Sequence, residues 1–103
     1  IKELKKDALL LEKNGVFAIV LECIKTPVAK IITNELKIPT IGIGSSVNCD
    51  GQVLVTDDLL GLSENNIRFV KKFINIRKFI REGFKKFSYE VKRKKYPTKK
   101  YSY

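Results

Sequence analysis

The apolar run VFAIVL at 16–21 stops abruptly at Glu22 and Cys23. A carboxylate directly after a buried strand stands where α/β folds place their ligands, beyond the carboxyl ends of the strands. Apolar neighbours such as Leu21 and Ile24 would be expected to disfavour its ionised form, which suits a general base. The plain alternative is a surface glutamate in a strand–helix loop. A second polar cluster follows in PTIGIGSSVNCDGQVLVTDDLLGL at 39–62. Gly42 and Gly44 flank Ile43 at the end of an apolar stretch, where glycine lets the backbone approach a ligand or take up positive φ. An ordinary tight turn explains them equally well. A dinucleotide site would need a third glycine and a following helix; Ser46 and Val47 stand there instead, so that site is rejected. Asp50-Gly51 is first a turn signal. Asp57 and Asp58 offer oxygen ligands for a divalent metal. Adjacent carboxylates on a strand point to opposite faces, however, so one of them is expected to serve as a helix N-cap or a loop hydrogen-bonding group.

The elements that must position these residues follow from periodicity. Leu4, Ala8 and Leu11 share one face, which predicts a helix over 2–13. Asn14-Gly15 stops it, Gly accepting the left-handed conformation. The unalternating run Val16–Leu21 reads as a strand buried on both faces, as in a parallel sheet. Thr26-Pro27 opens a second helix, with Thr as N-cap and Pro at the first helical position. Its predicted inner face is Val28, Ile31, Ile32 and Leu36. Strands are then predicted at Thr40–Gly44 and Gln52–Val55, giving α/β architecture with right-handed crossovers. Only seven residues, Ser45 to Gly51, separate these two runs, whereas a parallel crossover normally takes a dozen or more. Either the connection is abbreviated or one run lies outside the main sheet.

From Asn65 onward a helical pattern returns: Phe73, Ile76, Ile80, Phe84, Phe87 and Val91 recur at spacings of three and four, with Lys and Arg opposite. Asn75 is placed to cap a second helix and divide this region. Gly83 weakens that helix by roughly 1 kcal/mol relative to Ala. The tail YPTKKYSY is polar and aromatic, and is expected to be poorly ordered unless held by a partner.

The chain has 103 residues, room for one domain at most. It begins at Ile1 and contains neither Met nor His, which points to a fragment or a processed product. Residues 1–61 carry 7 Lys/Arg against 8 Asp/Glu, while residues 62–103 carry 14 against 3. All of the basic character therefore belongs to the C-terminal part. Such a tail can meet phosphates or an acidic membrane surface, or it can be a solvated helix face; the second reading is preferred. Cys23 and Cys49 form no disulfide framework or zinc motif and read as free thiols of a cytoplasmic protein. No apolar run approaches the roughly 18 residues needed to span a bilayer, so no membrane partner is expected.

Taken together, VLEC at 20–23, IPTIGIG at 38–44, DGQVLV at 50–55, Asp58 and LLGL at 59–62 resemble the ketopantoate hydroxymethyltransferases. The basic helical end closing on Tyr96-Pro97 also fits. The resemblance covers nearly the whole chain but only the last third to half of that family's length. It implies a (β/α)8 TIM-type barrel, with this chain supplying the last three strands in residues 1–64. Amphipathic helices over 65–95 would pack on the barrel or a neighbouring subunit, and 96–103 would form a polar tail. It further implies transfer of a hydroxymethyl group from 5,10-methylenetetrahydrofolate to 3-methyl-2-oxobutanoate with magnesium, in a cytoplasmic homo-oligomer that is a decamer in the family. Glu22 matches the family's proton acceptor, and the metal would stabilise the enolate formed at the keto acid. Magnesium ligands are expected upstream of Ile1, with none in this segment.

Three departures stand out. Ser45-Ser46 follows Gly44 where the family usually has Ala-Gly, so Gly42, Gly44 and Ser46 become the candidates for shaping the pocket floor. Asp57 precedes Asp58 where a histidine is common. The metal-binding acids and the substrate-contacting lysine belong to the half that is absent, so the chain alone is expected to be inactive and prone to aggregation through its strand edges. Two alternatives remain. One is a basic nucleic-acid-binding module acting through residues 65–103, against which the apolar stripe speaks. The other is a barrel of the phosphoenolpyruvate mutase and isocitrate lyase group, against which the DGQ string speaks.

Overall fold

The computed structural model describes residues 1–103, which divide into two compact units: Ile1–Val55 with Asn66–Val70, and Thr56–Asn65 with Lys71–Tyr103. No helix is long and apolar enough to cross a membrane.

The first unit is α/β. Helix α1 spans Lys2–Lys13 and ends at Asn14, after which Gly15 takes φ +86°, the left-handed stop that the sequence predicts. Strand β1 (Ile19–Glu22), helix α2 (Thr26–Glu35), strand β2 (Thr40–Ile43) and the two-residue strand β3 (Gly51–Gln52) follow. The sheet has order β1-β2-β3 and is parallel throughout, with Ile19 opposite Thr40, Glu22 opposite Ile43 and Gly42 opposite Gln52. The short Gly44–Asp50 link is thus a genuine parallel connection, made without a helix.

A network of polar side chains replaces the missing crossover. The Asp50 carboxylate accepts from the Thr40 N–H at 2.8 Å and from the Thr40 hydroxyl at 3.1 Å. With that proton committed, the 2.8 Å contact to Thr33 of α2 is donated by the Thr33 hydroxyl. Gln52 Nε2 donates to the Ser46 carbonyl at 2.7 Å, and Ser46 Oγ accepts from the Asn48 N–H and side-chain amide. The turn is closed by its own side chains.

The core consists of Ala8, Ile19, Leu21, Val28, Ala29, Ile32 and Cys49, all in this unit. Glu12 fastens α1 to the start of β2 by accepting from the N–H groups of Lys37 and Ile38. Several expectations need correction. The third strand is Gly51–Gln52 rather than Gln52–Val55. Strand β1 starts at Ile19 and is buried on one face only: Ile19 and Leu21 are covered while Val20 is 60% exposed. The run of apolar residues anticipates a second covering layer that residues 1–103 do not supply. Thr26 makes no side-chain cap; Lys25 is the N-cap, and the Thr26 hydroxyl donates to the Ser45 carbonyl. The inner face of α2 holds Ala29 where Ile31 was expected, because the small side chain allows closer approach to the sheet.

In the second unit, Thr56–Leu59 forms the short helix α3 and Ile76–Lys92 the long helix α4. Asn75 caps α4 by accepting from the Lys78 N–H. Residues 65–75 are not helical, contrary to expectation. The Phe73 and Ile74 N–H groups donate to the Leu59 carbonyl and that of Ile76 to Leu60, so tertiary bonds take the donors a helix would use. Gly61, at φ +73°, lies where a Cβ would meet the Ile74 carbonyl oxygen. The tail returns to α4: Tyr96 stacks edge-on against Phe87 at 5.8 Å and lies beside Tyr101.

Candidate active site

Glu22 is the last residue of β1, on the face opposite the one that packs against α2. Its carboxylate is exposed and enters no ion pair; the chain's two salt bridges are Lys5–Glu35 and Arg77–Glu64. The residue after it is held in an uncommon conformation: Cys23 has φ +54°, and its N–H donates to the Ile43 carbonyl at 2.9 Å. Such a conformation costs a non-glycine residue of order 1–3 kcal/mol and persists only when neighbours enforce it. Here the bond to β2 enforces it, and it turns the chain sharply just past the carboxylate. This kink is invisible in the sequence, where Cys is not a left-handed former.

Glu22 lines a recess of about 260 Å³ together with Leu4, Asp7 and Leu11 of α1, Val20, Ile24 and Ile32 of α2. A separate, open cleft of about 700 Å³ lies one residue further along the strands. Gly44, Ser46 and Gln52 line that cleft, and Cys23 and Ile24 connect it to the residues around Glu22. Gly42 lines neither space. Its role is packing, since a Cβ there would sit 2.8 Å from Gln52 Oε1 and 3.1 Å from Cys49 Sγ. Gly44 needs to be glycine on two counts: φ is +60°, and a Cβ would fall 2.4 Å from the ring of Phe69. Ser46 is buried and its φ is not positive, so serine is accommodated without strain.

Asp50 and Asp58 do structural work. The Thr40 N–H, and then the Thr40 hydroxyl, hold the Asp50 carboxyl below its ordinary value of 3.8. Asp58 is buried in α3 rather than on a strand and accepts from Asn65 Nδ2 at 2.9 Å. Asp57 is exposed on the same short helix. The chain brings no three His, Cys, Asp or Glu side chains together, so these residues do not fit a magnesium site. Both cysteines are free, Cys23 exposed and Cys49 buried. Sequence reasoning missed Lys25, Arg68 and Phe69, which also line the larger cleft. The one available signal for Phe69 was Gly44, a residue that makes room for something large.

Comparison with known proteins gives one consistent answer. The sequence profile described as ketopantoate hydroxymethyltransferase matches residues 1–99. The chain is 57% identical over 102 residues to the 3-methyl-2-oxobutanoate hydroxymethyltransferase of Pelagibacter ubique, covering 99% of this chain and 40% of that protein. It is 48% identical over 101 residues to the enzyme of that name from Pyrococcus furiosus and 43% identical over 103 residues to that from Clostridioides difficile, covering 36% and 38% of them. The chain therefore spans about 40% of the length of such relatives. Neither the nucleic-acid reading nor the phosphoenolpyruvate mutase reading gains support from these likenesses. A family match spanning residues 1–99 makes this chain a member of the ketopantoate hydroxymethyltransferase family.

Proposed function

We propose that this chain is the C-terminal part of a 3-methyl-2-oxobutanoate hydroxymethyltransferase, contributing three strands and the closing helices of a (β/α)8 barrel. Glu22 is its proton acceptor. The observation that carries this reading is the place of Glu22: an unpaired carboxylate ending a parallel strand, on the face that α2 leaves open, in a chain of this family. A carboxylate there can remove the proton from the carbon beside the ketone of 3-methyl-2-oxobutanoate. The electron pair left on that carbon, shared with the keto oxygen as an enolate, forms a bond to the methylene carbon of 5,10-methylenetetrahydrofolate. The two carbon–nitrogen bonds of that methylene break, water supplies the hydroxyl, and the folate nitrogens take up the proton removed by Glu22 and the remaining proton of that water, so that 2-dehydropantoate and tetrahydrofolate leave. Magnesium belongs to this reading only through residues outside the chain. A cytoplasmic homo-oligomer, with residues 65–95 packed on the barrel or a neighbouring subunit, completes the proposal.

The test uses the full-length protein that contains this segment. Glu22→Gln keeps size and polarity but cannot take the proton. It should slow exchange of the keto-acid proton with deuterated water by about 10²–10⁴-fold, the usual contribution of a positioned base, with keto-acid binding retained. Unchanged exchange would remove Glu22 from the mechanism.

A further inference from the structure

The 700 Å³ cleft beside Glu22 has an unusual wall. Its lining includes two cations, Lys25 and Arg68, and no Asp or Glu. Lys25 comes from the part of the chain, residues 1–61, that carries more acidic than basic side chains, and Arg68 from the basic part. The other polar groups of the wall satisfy one another: Thr26 bonds to the Ser45 carbonyl, Ser45 to the Ile24 carbonyl, and Gln52 to the Ser46 carbonyl. Lys25 and Arg68 alone are left without an ion-pair partner.

Arg68 is also brought there by a dedicated contact. Residues 66–70 belong to the first compact unit although the residues on either side belong to the second. The Phe69 ring occupies the space that Gly44 leaves by lacking a Cβ, and Val70 N–H closes a turn onto the Ile67 carbonyl at 3.0 Å. The segment is thus anchored at the ends of the strands by one aromatic ring, with the adjacent guanidinium lining the cleft. Guanidinium and ammonium groups recognise carboxylates by charge-assisted hydrogen bonds. The cleft's volume falls in the roughly 300–1,000 Å³ range of sites for cofactor-sized ligands, much larger than a small branched keto acid fills.

We propose that Arg68 and Lys25 bind the carboxylates of the glutamyl tail of the one-carbon donor, so that the donor's other end lies toward Glu22. This rests on the function proposed above. The test measures binding to the full-length protein by calorimetry, with tetrahydrofolate, with tetrahydropteroate (which lacks the glutamyl group) and with 3-methyl-2-oxobutanoate. Wild type should bind tetrahydrofolate more tightly than tetrahydropteroate. Arg68→Gln should lower tetrahydrofolate affinity about tenfold, the effect of losing a charge-assisted bond, and leave the other two ligands unaffected. Lys25→Gln, on a different segment, should act in the same direction. Tetrahydrofolate affinity unchanged in both variants overturns the proposal, as does a loss confined to the keto acid, which would assign the cations to that carboxylate. Proton exchange is read separately. Arg68-dependent tetrahydrofolate binding in a protein that leaves the keto-acid proton in place would overturn the Glu22 reading alone.

Discussion

Helix α2 is ten residues long and buries Val28, Ala29 and Ile32, whereas α4 is 17 residues long and buries none. By pattern alone α4 is the better amphipathic helix, with a sustained stripe from Ile76 to Val91. Yet Phe84 is 71% and Phe87 57% exposed. The difference teaches that periodicity predicts a helix with an apolar face but says nothing of what covers the face. Helix α2 is covered because β1 and β2 flank it in the chain and pair with each other. No such pairing accompanies α4, whose Phe87 meets Tyr96 of the returning tail while Phe79 and Phe84 stay exposed.

The contrast can be broken or sharpened in the full-length protein. If α4 packs there on the barrel or a neighbouring subunit, Phe84→Ala should cost about 3–5 kcal/mol in urea unfolding, the loss typical of a buried phenylalanine. A change under about 0.5 kcal/mol, as at an open surface, would mean the face stays in water and the contrast with α2 is intrinsic. Ile32→Ala, at a site only 2% exposed, should cost about 2–5 kcal/mol by the same measurement; a loss near zero would show that α2 is not what holds the sheet. Gly44→Ala combines a left-handed φ with a clash against Phe69 and should cost about 1–3 kcal/mol. It should also raise amide exchange at Val70, which the anchored turn protects; unchanged exchange would detach Phe69 from that role.

The smallest effect concerns pH. The Asp50 carboxyl sits below its ordinary value because Thr40 donates to its charged form. The folded chain therefore binds this proton less readily than the unfolded one. The stabilisation is present in full above the unfolded pKa and is lost as pH falls through the folded value. Asp50→Asn should flatten the acid limb of the stability curve without changing its neutral part much, and an identical acid limb would argue that the Thr40 clip is not formed.

Much of the first unit was legible from residue types. Gly15, Pro27 and the two apolar runs mark the helix and strand order, and the strand end at Glu22 follows from where VFAIVL stops. The exposure of Val20 was not legible, because burial on the second face depends on a layer these residues lack. The irregular stretch 65–75 was misread as helix for a definite reason. Phe73 falls in phase with Ile76 and Ile80, but the carbonyls of Leu59 and Leu60 claim the backbone donors, and no local pattern records a bond to a residue so far away. At the candidate site, the place of Glu22 at the end of β1 could be read from the sequence. The Cys23 kink and the arrival of Arg68 could not, since both depend on contacts with β2 and its end.

The Thr40–Asp50 clip has a consequence for how the chain finds its fold. Pairing β1 with β2 must enclose all of α2, a long loop to close. Pairing β2 with β3 closes one of only about ten residues, a size that forms in roughly 10–100 ns, and the clip joins its two ends. The β2–β3 turn is therefore the most local pairing in a parallel sheet, a class of structure whose formation is otherwise slowed by the need to bring distant segments together. All of its bonds are made within residues 40–52, so the turn closes without any contact from α4.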